Sequence, residues 1–152
     1  MPTLDCDGEV GLGWLEVPAD EAVPPDGPVL LDLARFQVTS TRGAATGVII
    51  DGNTSHDVLP ALVVQASAIA IRFPLFRDGR GFTLLRHLRE RLGYCGPILV
   101  TGHLLPDQWH HLRELGVSAV LLPEGSDLAP WHRAAARFSR TYQSMIRRTQ
   151  LQ

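Results

Sequence analysis

The sequence predicts an α/β fold: a flavodoxin-like open parallel sheet of about five strands with helices on both faces. Three observations lead there. Short apolar runs alternate with amphipathic segments about five times along the chain. Runs such as Ala68 to Phe73 and Pro97 to Thr101 are apolar almost without interruption, as expected of strands covered on both faces. The segments between them have helical spacing, and parallel neighbours need helical crossovers of right-handed sense. A fragment of a βα barrel is the alternative, but five units do not easily close one.

Taken in order, residues 1–27 form an irregular arm rich in Pro, Gly and acids, whose Trp14 is expected to pin onto the core. A single α/β domain follows over 28–147. Val29 to Leu31 opens it as a strand, and Leu33 to Gln37 starts a helix. Gly47 to Ile50 is the next apolar run, closed by Asp51 and Gly52. Asn53 to Ser55 supplies capping groups for a helix over His56 to Gln65, with Pro60 tolerated in its first turn. After Ala68 to Phe73 and a loop, Phe82, Leu85, Leu88 and Leu92 share one helical face, opposite Thr83, Arg86, His87 and Glu90, and Gly93 ends the helix. Pro97 to Thr101 is a strand. Leu105, Trp109 and Leu112 mark the next helical face, with Pro106 at its start and Gly116 at its stop. Ser118 to Leu122 is the last strand, and Asp127 to Arg147 the last helix.

The chain of 152 residues has room for one ordinary core. A net charge of -2 is the wrong sign for general binding to nucleic acid or a membrane surface. The first ten residues carry acids where a signal peptide needs a basic start, and no apolar run is long enough to span a bilayer, so a cytoplasmic location is expected. Cys6 and Cys95 are too few for a disulfide framework, and Cys95 reads as a buried structural thiol. All 14 basic residues are Arg, so each cation is a rigid fork suited to oxyanions and none can form a Schiff base.

In an open parallel sheet, ligands sit beyond the carboxyl ends of the strands. Asp32, Asp51, the loop from Pro74 to Gly81, and the segments Thr101 to Leu105 and Pro123 to Ser126 would all face that edge. The loop carries Arg77, Asp78, Gly79, Arg80 and Gly81 and runs into a helix. Free N–H groups, the positive end of the helix dipole and two guanidinium groups make an oxyanion site there, for sulfate, sulfite, phosphate or a small molecule bearing one. Thr83, His103, Asp107 and Gln108 complete the candidate ligand-binding set. The plain alternative is a turn at Asp78 and Gly79 with both arginines paired on the surface. His103, His110 and His111 lack metal-ligand spacing, so no metal is expected. Trp109 and Trp131 are core anchors. No catalytic triad, Walker loop or dinucleotide fingerprint is present, and the cofactor and catalytic residues stay unknown.

The run FPLFRDGRGFTLLRHLRERLGYCG followed by TGHLLPDQ resembles the bacterial family known as domain of unknown function 934. The residues that carry the resemblance are Phe73, Pro74, Phe76, Asp78 to Phe82, Arg86, Leu88, Arg89, Arg91, Gly93, Tyr94, Gly96, Gly102, Leu105, Asp107 and Gln108, and it extends weakly over Gly27 to Gln143. His103 stands where the family commonly has Asp, and Arg113 to Ala119 lacks the Cys and Asp often found there. The resemblance implies an oxidoreductase or an accessory protein of assimilatory sulfite reduction, with sulfite reductase components as partners; combined with the Arg-rich helix entrance, the leading expectation is an accessory protein that binds an oxyanion or a protein at the RDGRG loop. The alternatives are a small oxidoreductase of sulfur metabolism and a degenerate receiver-like interaction module, with a homodimer as one candidate assembly. The receiver likeness is architectural: Arg72 and Phe73 stand where the phosphoacceptor Asp should be, and Leu122 stands where a Lys should precede Pro123.

Overall fold

The computed structural model describes residues 3–5, 10–11, 13–39, 45–75 and 79–137. Its strands are β1 (Thr3–Asp5), β2 (Val10–Gly11), β3 (Leu15–Glu16), β4 (Val29–Asp32), β5 (Thr46–Asp51), β6 (Ile69–Phe73), β7 (Ile98–Gly102) and β8 (Ala119–Leu121). Its helices are α1 (Leu33–Val38), α2 (Leu59–Gln65), α3 (Gly79–Arg86), α4 (Trp109–Glu114) and α5 (Ala129–Arg137). Short 3₁₀ turns lead into α2 and α4, and α3 continues as a π-helical turn over His87–Arg91. The expected last helix is described only as far as Arg137; its remainder lies outside the described residues.

The α/β class and the parallel sheet are as the sequence predicts. Six strands run parallel where about five were expected, because β3, from the supposedly irregular arm, pairs with β4. The arm also supplies β1 and β2: β1 pairs antiparallel with both β2 and β8, with Thr3 opposite Leu121. The strand order is β2-β1-β8-β7-β6-β5-β4-β3, so the parallel strands follow one another without reversal. Right-handed crossovers in one direction put every helix on the same face. Accordingly, Phe36, Leu59, Leu62, Leu85, Trp109, Leu112 and Trp131 share one cluster with Leu31, Val48, Ile50, Ile71 and Val100 of the sheet. The flavodoxin-like arrangement instead places helices on both faces, which requires the strand order to turn back.

The other face shows why the sheet is curled into a half-barrel. Gly11 of β2 and Leu15 of β3 are four Cα steps apart, so they lie within about 15 Å. They belong to opposite ends of an eight-stranded sheet. Laid flat at about 4.8 Å per strand, those ends would be roughly 34 Å apart. The sheet must therefore bend until its edges approach. Leu30, Ile49, Ala68, Ala70, Leu99, Ala119 and Leu121 are buried on the concave side, and Trp14 packs against them. Small residues suit so tight a curve. A Cβ on Gly47 would fall 2.6 Å from Leu30 and 2.9 Å from the Ala68 carbonyl.

Trp109 and Trp131 anchor the helical layer, meeting edge to face at 6.4 Å. Two side chains depart from expectation. Cys95 is exposed rather than buried, its thiol donating to the Gly93 carbonyl at 3.3 Å, because the loop into β7 turns it outward. Leu105 is 49% exposed, since it caps the turn before α4 and does not share the buried face of Trp109 and Leu112.

Candidate functional site at the carboxyl mouth of the sheet

Strand alternation decides which side chains face the concave side. Leu30, Ile49, Ala70 and Leu99 do so in β4, β5, β6 and β7. Two residues later on the same strands stand Asp32, Asp51, Arg72 and Thr101. Four neighbouring strands thus each change from an apolar to a polar inward residue at their carboxyl ends. Glu16, two residues after Trp14, adds a fifth on β3. A cleft of about 460 Å³ opens at this mouth, lined by Asp32, Leu33, Ile49, Asp51, Asn53, Ser55 and Arg72 among others.

Local chemistry holds each group in place. Asp32 caps α1, its Oδ1 accepting from the Arg35 N–H at 2.9 Å. The Arg35 guanidinium in turn donates to the Pro18 carbonyl at 2.6 Å and to the Glu21 carbonyl, tying the segment before β4 to α1. Asp51 builds a turn: its Oδ1 accepts from the Asn53 N–H at 2.8 Å, and its own N–H donates to Thr54 Oγ1 at 3.1 Å. One carboxylate oxygen of each Asp is thereby engaged, and the other has no partner among the described residues. Arg72 pairs with Glu16 across the curve of the sheet, and both remain partly exposed.

Gly52 brings α3 to this cleft. A Cβ there would lie 2.6 Å from the Arg80 Cβ, and in its absence the first turn of α3 packs onto the loop after β5. Arg80 Nη1 then donates to Asn53 Oδ1 at the cleft rim.

The residues expected to form the anion site are placed as follows. Arg77 and Asp78 lie outside the described residues. Gly79 opens α3 with free space where a Cβ would point. At Gly81 a Cβ would fall 2.3 Å from the Phe73 ring, so this glycine serves the packing of α3 on β6. Thr83 is exposed, its hydroxyl donating to the Gly79 carbonyl at 3.3 Å. The His103 N–H donates to the Phe73 carbonyl at 2.8 Å and joins the loop after β7 to the end of β6, while its side chain is exposed. Asp107 is exposed, and Gln108 accepts from the Leu105 N–H at 2.9 Å. Of the described members, Arg80 reaches the rim of the cleft, and the others do not line it.

Sequence reasoning passed over Arg72, Glu16 and Asn53. The signal for Arg72 was available: a single charge in an apolar run, in phase with Ala68 and Ala70 and therefore inward. Glu16 and Asn53 give no such signal, because their roles depend on the curl of the sheet and on the approach of α3.

A second polar assembly sits at the opposite, amino edge. Arg89 donates through Nη1 to the carbonyls of Tyr94 at 2.6 Å and Gly96 at 2.8 Å, and through Nε and Nη2 to that of Gly116 at 3.1 and 2.6 Å. It thus joins the loops leading into β7 and β8. Burial lowers the pKa of Arg89, opposed by Tyr94 and Cys95, and burial raises that of Tyr94, opposed by Arg89. Gly93 at φ 62° and Gly116 at φ 96° allow the turns that present these carbonyls.

These features define an α/β protein with its candidate site at the carboxyl ends of consecutive parallel strands, the usual place for ligands in such folds. The chain belongs to the family described as bacterial protein of unknown function, DUF934, whose model matches residues 47–151. The match runs from the second residue of β5 through α5 and includes Asp51, Arg72, Arg80 and Arg89. Comparison with curated proteins gives no match. Among the described residues, no helix is long and apolar enough to cross a membrane.

Proposed function

We propose that the chain is an accessory protein of sulfite reduction that holds a small ligand bearing an oxyanion at the carboxyl mouth of its sheet. The family resemblance supports the sulfite-reduction part. The observation that supports the binding part is that Arg80, in the first turn of α3, reaches Asn53 on the rim of the cleft that Arg72 lines from the sheet. Guanidinium forks suit planar or tetrahedral oxyanions, and the positive end of the α3 dipole favours the same charge.

Calorimetric titration with sulfite, sulfate and phosphate tests the binding. Arg80→Gln should weaken it about tenfold, the loss of one charge-assisted contact worth roughly 1.5 kcal/mol. If no anion binds, or if Arg80→Gln leaves affinity unchanged, the binding part is wrong. The cellular role is tested separately by affinity purification of the tagged chain from its host under sulfate limitation. Sulfite reductase components should co-purify, and their consistent absence would refute the accessory role.

A further inference from the structure

Resting on the oxyanion reading of this mouth, we infer that the ligand is a small zwitterion, an oxyanionic group joined through a short carbon skeleton to an ammonium. Two properties of the cleft lead there. The first is volume. At about 460 Å³ the cleft falls within the range of organic ligand sites, roughly 300–1,000 Å³, and an inorganic oxyanion of a few atoms would leave most of it empty. Leu33 and Ile49 give part of the lining an apolar character suited to carbon.

The second property is charge. Asp32 and Asp51 line the cleft from adjacent strands, each with one carboxylate oxygen that has no partner among the described residues. The cation beside them, Arg72, is already paired with Glu16. A bare dianion deep in the cleft would meet two carboxylates and one neutralised arginine. An ammonium there would instead meet two acceptors of opposite charge. The oxyanion of the same molecule would lie toward Arg80 at the rim, or take Arg72 from Glu16. A zwitterion satisfies both ends, whereas a bare anion satisfies one and is repelled at the other.

The two alternatives respond with opposite sign to neutralisation of the acids. Asn retains the helix-capping and turn-forming acceptor, so Asp32→Asn and Asp51→Asn remove charge without removing the local hydrogen bonds. The probes are taurine and O-phosphoethanolamine, set against ethanesulfonate and inorganic phosphate, by calorimetry, with thermal unfolding confirming that both variants fold. The expected result is that each zwitterion binds the wild-type chain at least tenfold more tightly than its matched anion. Each Asn variant should weaken the zwitterions about tenfold and leave the simple anions unchanged or tighter. If zwitterion and matched anion bind equally, or if the Asn variants tighten both, this inference is overturned while the oxyanion reading stands. If no probe binds and inorganic phosphate is also silent, the oxyanion reading itself falls.

Discussion

The two edges of the sheet use arginine in opposite ways. At the amino edge Arg89 spends its guanidinium on three backbone carbonyls, and its pKa direction reports the burial that goes with it. At the carboxyl edge Arg72 and Arg80 each hold a side-chain partner, Glu16 and Asn53, at positions that remain open to solvent. Backbone carbonyls cannot leave when a ligand arrives. Side-chain partners can exchange. The amino edge is therefore built for stability and the carboxyl edge for exchange, and Arg80 and Arg89, though nine residues apart, should not be read as one site.

Urea unfolding can break this contrast. Arg89→Ala removes the hydrogen bonds to the part-buried carbonyls of Tyr94, Gly96 and Gly116 together and is expected to cost about 2–3 kcal/mol, on the basis of roughly 0.5–1.5 kcal/mol per hydrogen bond. Arg72→Gln removes one partly exposed ion pair and should cost less than about 1 kcal/mol. Comparable costs at the two positions would erase the distinction.

Tyr94 sharpens it along the pH axis. Its buried hydroxyl has no partner among the described residues, and burial raises its pKa. The folded chain thus keeps this proton at pH values where the unfolded chain has lost it, so stability should fall as pH rises past roughly 10, where a free tyrosine ionises. Tyr94→Phe should remove that alkaline loss, and at neutral pH should be neutral or stabilising by up to about 1 kcal/mol, since no hydrogen bond is lost. An alkaline decline unchanged in Tyr94→Phe would assign it to another group.

The strands β4 to β8 were legible because apolar runs between helical segments have few other solutions, and the helix bounds followed from Asn53 to Ser55, Gly93 and Gly116. The strand order was not, because the same alternation of strand and helix serves sheets that reverse and sheets that do not. The arm was misjudged for a related reason: its strands are two or three residues long and exist only through pairing with β4 and β8, which no local pattern announces. At the site, Asp32 and Asp51 could be placed at the carboxyl edge from strand ends alone. Gly81 misled, since a glycine that admits the Phe73 ring looks in sequence the same as one that admits a phosphate.

The register of Thr3 with Leu121 also governs the order in which this molecule can be assembled. Strands β3 to β8 can join in the order they are synthesised, each beside its predecessor. β1 cannot. It precedes them in the chain and has only β2 to pair with until β8 exists, so its pairing with β8 must wait for the rest of the sheet and then close a long loop at an entropic cost. The seam between β1 and β8 is therefore the part of the sheet that joins the two stretches most distant along it, and loss of either strand opens it.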